Sequence, residues 1–217
     1  MLDLTLDELL TTTRTVRRRL DFDKPVDRRV VEECMEIALQ APNGGNINGW
    51  RWIAIDDRSL IREISKVYNG GLDDFTAGFG DAGYAGAGVE GADRIASSTQ
   101  YLRDNFDRCP MLVVPLFAGR TDGPRTSSFY QATAWGSILQ AVWSFMLALR
   151  ARGLGSAWTT GHLWREKELA QLLGVPFEGF TQAGLFPVAY TKGTVFKPAQ
   201  RKPVEEVLAW NHFDLGR

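Results

Sequence analysis

Thr13-Arg14-Thr15-Val16-Arg17-Arg18-Arg19 packs four cations and two hydroxyls into seven residues. The chain as a whole is nearly neutral, with 25 Lys and Arg against 26 Asp and Glu in 217 residues and a formal net charge of −1. Proteins that coat nucleic acid or an anionic membrane are far more basic than this. The cluster is therefore local and suits a small anionic ligand. Its plain alternative is a solvated basic loop or helix end, and the flanking sequence has to decide between the two.

Upstream, Thr5-Leu6-Asp7-Glu8 reads as a capping box, with Leu6, Leu9 and Leu10 on one face, so a first helix ends at or just before the arginines. Downstream, Pro25 breaks the chain. Asp27 then caps a second helix, in which Val30, Cys34, Ile37, Ala38 and Ala41 recur at helical spacing up to Pro42. Trp50 to Asp56 alternates as a strand. Met111 to Phe117 reads as a buried strand, and Pro115 predicts a place at a sheet edge or near the strand end. Residues 128–152 carry a long helical stripe through Trp135, Ile138, Leu139, Val142, Phe145, Met146 and Leu149. Gln131, Gly136, Ser137, Gln140 and Ser144 interrupt it too often for a membrane span, so a buried central helix is expected. Arg165 to Leu173 predicts a short helix closed by Gly174, and Ala183 to Tyr190 a last strand. Strands and helices mix without strict alternation. One α+β domain over residues 1–217 is favoured over a doubly wound parallel sheet.

Few side chains offer chemistry of their own. Cys34 and Cys109 stand apart, and His162 and His212 are the only histidines, so no metal site is expected. Cys34 reads as a packed, reduced thiol. No basic leader precedes an apolar core at Met1-Leu2-Asp3-Leu4, and the cytoplasm is the expected address. No Gly-x-Ser-x-Gly elbow occurs, which removes support for Ser-His-acid hydrolysis. Gly86-Ala87-Gly88-Val89-Glu90-Gly91 has the letters of a dinucleotide fingerprint but lacks a strand before it. The glycine-rich stretch around it, residues 69–93, reads instead as a loop or lid. Chemistry in such a chain falls to a cofactor. Ala41-Pro42-Asn43-Gly44-Gly45-Asn46-Ile47-Asn48-Gly49-Trp50 would suit a planar, polar one, because its glycines allow close backbone approach and its asparagines both donate and accept. The plain reading is a helix-to-strand loop rich in turn formers.

Together these residues carry a resemblance. Arg14-Thr-Val-Arg17, Asp23-Lys-Pro-Val, and Ala38-Leu-Gln-Ala-Pro-Asn-Gly-Gly-Asn followed by Trp50 are similar to the amino-terminal signature of the nitroreductase family of flavoproteins. Gly153-Leu-Gly-Ser-Ala-Trp-Thr-Thr-Gly-His162, Leu172-Leu-Gly-Val-Pro176 and Arg201-Lys-Pro-Val-Glu-Glu206 continue it in the same order. The resemblance implies a nitroreductase-like α+β homodimer with a mixed, mainly antiparallel sheet packed with helices. It implies FMN at the subunit interface, with residues 197–217 contributing to the partner subunit. Hydride would pass from NADH or NADPH through the flavin to a small electron-poor acceptor.

By the same resemblance Arg14, Thr15 and Arg201 hold the FMN phosphate, and Arg17 sits at the pyrimidine end of the ring, where its charge would assist reduction. Pro42, Asn43 and Gly44 pack on the ring, with Asn46 and Asn48 in the same loop. Thr160 and Gly161 bring a backbone N–H to the reactive nitrogen, and Ser137 touches the ring. Arg17 and Gly161 are thus the expected catalytic positions. Three departures stand out. Thr13 occupies a place where relatives carry a phosphate-binding arginine, Arg19 replaces an aromatic, and Thr160 stands where better-known members are acidic. A flavin carrier or sensor without turnover, and a flavin-dependent dehydrogenase or dehalogenase, are the alternatives.

Overall fold

The computed structural model describes residues 1–79, 91–123 and 127–213. Among these described residues, six α-helices and a six-stranded sheet follow one another as α1 (Leu6–Thr12), β1 (Leu20–Asp21), α2 (Arg28–Ala38), β2 (Trp50–Ile55), α3 (Arg58–Phe79), α4 (Ala92–Asp104), β3 (Met111–Ala118), α5 (Ser128–Ala151), β4 (Leu154–Ser156), α6 (Glu166–Leu172), β5 (Phe180–Gln182) and β6 (Phe186–Thr191). The architecture is the expected α+β one, and every described strand pairing is antiparallel. The capping box of α1 forms in full, and the Asp27 carboxylate accepts from the Arg29 N–H at the start of α2.

β3 organises the sheet, because its alternate residues enter different cores. Met111 and Val113 join α2 and α5 on one face. Leu112, Val114 and Leu116 join residues of α3, α4 and α6 on the other. Each fully buried aliphatic side chain contributes roughly 1.5–3 kcal/mol, so a strand loaded on both faces belongs in the middle. Pro115 does not mark an edge: β3 pairs with β2 on one side and with β5 and β6 on the other. The physical reason is local. The carbonyl of Pro115 accepts from Ala183 N–H, and the reciprocal donor that proline lacks is replaced by the Trp158 indole, which donates to the Ala183 carbonyl at 2.9 Å.

Three expectations from periodicity need correction. On α2 the buried set is Val31, Cys34 and Ala38, while Ile37 is exposed. The last strand starts later than Ala183: β6 covers Phe186–Thr191, and the separate short β5, Phe180–Gln182, precedes residues 183–185. Residues 69–79 are not loop but the second half of α3, and residues 92–93 open α4. Gly70 and Gly71 serve packing there. A Cβ on Gly71 would lie 2.2 Å from the Gly161 carbonyl oxygen, and one on Gly70 would lie 2.2 Å from Arg165 Nη1. The rest of the glycine-rich stretch, residues 80–90 with most of the Gly86–Gly91 motif, lies outside the described residues.

α5 is long and apolar enough to cross a membrane by composition, yet half of its most apolar window is buried inside the fold. It is the central helix of the first core. Both cysteines are free and buried, and burial pushes the Cys34 thiol up to about 11, so it stays protonated and packs as a small apolar group.

Candidate functional site

The arginine segment leaves α1 in extended conformation and is pinned where Val16 N–H donates to the Ser156 carbonyl of β4 at 2.9 Å. Val16 is buried over Gly155, whose missing side chain makes room for it. With Val16 held inward, its neighbours Thr15 and Arg17 turn outward into a groove of about 1030 Å³. Arg14, Thr15, Arg17, Arg18 and Arg19 form one side. Arg94, Ile95 and Ser98 of α4 form another, and residues 195–202, with Lys197, Arg201 and Lys202, close it.

Among the described residues, eight of the sixteen that line this groove are cationic and none is acidic. Their hydrogen bonds run to neutral oxygens. Arg14 Nη1 donates to the Lys197 carbonyl at 3.0 Å, Arg17 Nη1 to Ser98 Oγ at 3.3 Å, and Arg18 Nη2 to the Ser97 carbonyl at 3.1 Å. Arg201 reaches only the adjacent Gln200 carbonyl. Among these cations, in the described residues, Lys202 alone has an ion-pair partner, Glu206 at 3.8 Å. A groove with this donor set and no carboxylate among its described lining residues fits a phosphate group.

Arg19 has a structural task. It donates to the carbonyls of Lys192, Gly193 and Val195 and stacks 4.0 Å from the Phe196 ring. The residue with no aromatic side chain of its own thus borrows one from the segment after β6. By fastening residues 192–196 it delivers the tail that carries Arg201.

The Asn-Gly loop is a second cluster, on the α2–α5 side. Asn43 Nδ2 donates to Asn48 Oδ1, Asn48 N–H donates back to Asn43 Oδ1, and Asn48 Nδ2 donates to the Asn46 carbonyl. Gly45, Asn46 and Asn48 all adopt positive φ, between 52° and 61°, which asparagine and glycine tolerate best. Gly44 N–H donates to Ser137 Oγ at 2.9 Å, and that hydroxyl donates onward to the Thr133 carbonyl. Ser137 is therefore the tether between the loop and α5. A Cβ on Gly44 would fall 2.7 Å from Thr133 Cγ2, so the close approach requires glycine. Pro42 is exposed at the loop's entrance.

Thr160 and Gly161 form a third cluster, at the start of a 3-10 turn, Gly161–Arg165, that packs on α3. His162, directly after them, is fully buried, and desolvation drives its pKa down to about 3 against a weaker raising influence from Gln182. It is neutral at physiological pH and belongs to the core. In one chain, then, Arg14, Thr15, Arg17 and Arg201 meet in the groove, whereas Pro42 to Asn48 with Ser137, and Thr160 with Gly161, do not line it. The sequence reading missed Arg94, the α4 wall and Phe196, which enter only through tertiary packing.

The family model described as "Nitroreductase family" matches residues 10–190. The chain belongs to the nitroreductase family. Within its reach lies a 5,6-dimethylbenzimidazole synthase from Rhodospirillum rubrum, 26% identical over 159 residues that cover 71% of this chain and 68% of the relative. An NADH dehydrogenase from Thermus thermophilus is 25% identical over 209 residues, covering 91% of each chain. Among solved structures, the FMN- and NADPH-dependent nitroreductase NfnB from Sphigopyxis sp. strain HMH superposes with a TM-score of 0.68 over 97% of this chain and 100% of its own, at 22% identity. At that identity the likeness shows the nitroreductase-like fold alone.

Proposed function

We propose that this chain is an FMN-dependent oxidoreductase that passes hydride from NADH or NADPH to a small electron-poor acceptor such as a nitroaromatic or a quinone. The observation that carries the reading is the groove whose described lining holds eight cations and no acidic side chain. Bound there, FMN would supply hydride-transfer chemistry between a reduced nicotinamide and an electron-poor acceptor in two successive half-reactions. The chain's own residues supply everything else. Arg14, Thr15 and Arg201 hold the phosphate, and Arg17 places a fixed positive charge where reduction builds negative charge. Pro42, Asn43 and Gly44 pack on the ring, with Asn46 and Asn48 keeping the loop in shape and Ser137 holding it to α5. Thr160 and Gly161 present backbone to the reacting edge.

The separation of these clusters in one chain supports a homodimer in which the second copy completes the site. Ile47, Phe129, Trp143, Trp210 and Phe213 are all exposed in the single chain, the last two in the 197–217 tail. In the proposed dimer the second copy would cover such side chains.

Anaerobic mixing of the FMN-loaded protein with NADH and, separately, NADPH tests the reading. Loss of the oxidised flavin absorbance with either one, and its return on adding a nitroaromatic or quinone, is the expected result. A flavin that stays oxidised with both would favour a carrier or sensor. Reduction without reoxidation by either acceptor would point to another member of the family's chemistries, such as that of the synthase among its relatives.

A further inference from the structure

Arg150 is the one charged side chain among the buried described residues, 5% exposed in the last turn of α5. A guanidinium carries five N–H donors and stays charged in proteins, so burial normally comes with carboxylate or carbonyl partners. Arg150 has neither. Its one hydrogen bond runs from Nη2 to Thr12 Oγ1 at 3.4 Å, and Nε and Nη1 have no acceptor. The guanidinium lies 4.9 Å from the Phe196 ring, on which Arg19 also stacks. Burial and the like charge of Arg19 both act against its cationic form. A buried cation so poorly served needs a negative charge nearby.

Its donors share a recess of about 10 Å³ with Thr12, Thr13, Arg14 and Ser156, which is room for about one water and too little for a phosphate. Arg14, Val16 and Phe196 line both that recess and the wide groove. Arg150 therefore stands directly behind the segment whose outer side presents Arg14 and Thr15.

We propose that Arg150 is the buried cation of the phosphate site, setting the field across the Thr13–Thr15 segment from behind. It is a positioning residue, acting through the recess and Arg14 without contact to the ligand. The proposal rests on the reading of the groove as a phosphate site. It also accounts for there being no carboxylate at Arg150 among the described residues, since an ion pair there would cancel the field.

The test compares FMN with riboflavin, which differ by the phosphate, in fluorescence titrations of the wild-type chain and of Arg150→Met, which keeps an apolar stem. The wild type should prefer FMN. Arg150→Met should weaken FMN about tenfold, the effect of one charge at this remove, and leave riboflavin unchanged. Thr13→Arg, added to Arg150→Met, returns a cation to the same recess and should restore most of the preference. If Arg150→Met does not fold, Arg150→Gln, which keeps a donor for Thr12, carries the same comparison. Equal weakening of both flavins, an unchanged preference, or a double variant no better than Arg150→Met would overturn the proposal. A wild type that binds both flavins alike would overturn the phosphate reading and this inference with it; a wild type that discriminates while Arg150→Met discriminates equally removes only the role of Arg150.

Discussion

Arg120 and Arg14 show two ways of using a guanidinium in one chain. Arg120 donates from Nε and Nη2 to Asp122, from Nη1 and Nη2 to Glu166, and from Nη1 to the Phe180 carbonyl, and it lies 4.1 Å from the Phe177 ring. These contacts raise its pKa and tie β3 to α6 and β5. Arg28, Arg29, Arg103, Arg108, Arg152 and Arg165 likewise have carboxylate partners. Arg14, Arg17, Arg18, Arg19, Arg94 and Arg201 have none among the described residues. Arg51, Arg58 and Arg150 bond only neutral oxygens elsewhere in the fold, but six arginines without a carboxylate partner share one groove, and in a near-neutral chain that concentration of positive charge suits a ligand.

The comparison breaks most sharply at Arg120. Arg120→Met would leave Glu166 partly buried and uncompensated, and should cost about 3–5 kcal/mol in urea unfolding. A loss below about 1 kcal/mol would mean the pairing is not what holds that corner. In the groove the pattern should reverse. Arg14→Ala and Arg201→Ala should each weaken FMN by about 10–100-fold, as expected for a charge-assisted hydrogen bond, while urea midpoints stay put. If instead the midpoints fall and FMN binding holds, the groove arginines are structural.

His162 sharpens the contrast, since it is a buried base able to give up its charge. Its folded pKa of about 3 lies below the ordinary histidine value, so its stabilising contribution is fully present above about pH 6.5 and is lost as pH falls toward 3. Stability of the wild type should therefore decline across that window by up to about 1.4 kcal/mol per pH unit from this group. His162→Leu should flatten the decline, and identical pH profiles would remove the attribution. The smallest effect belongs to the exposed Arg28–Asp56 pair, at 2.5 Å but open to solvent. Arg28→Ala should leave thermal unfolding unchanged within error, and a clear drop would show that exposed pairs matter here too.

Much of this was legible beforehand because it is local. Thr5 to Glu8 contains its own capping logic, α5 shows its stripe, and the Thr13–Arg19 and Pro42–Asn48 segments carry their chemistry in consecutive residues. What was not legible depends on distant partners. Pro115 can occupy a central strand only because Trp158 supplies the missing donor. Gly70 and Gly71 suggested mobility, although they allow α3 to meet the Gly161 turn. Arg150 interrupts an apolar run, and nothing in the sequence tells that its partners are Thr12 and Phe196.

The most direct measurement is a pair of dissociation constants, for FMN and for riboflavin, taken with the wild-type protein at low and at high salt. The account predicts that FMN binds much more tightly and that added salt narrows the gap by weakening FMN alone, because the difference resides in phosphate contacts with partly exposed cations. Equal affinities, or a preference that salt does not touch, would contradict the claim that the unpaired arginines form a phosphate site.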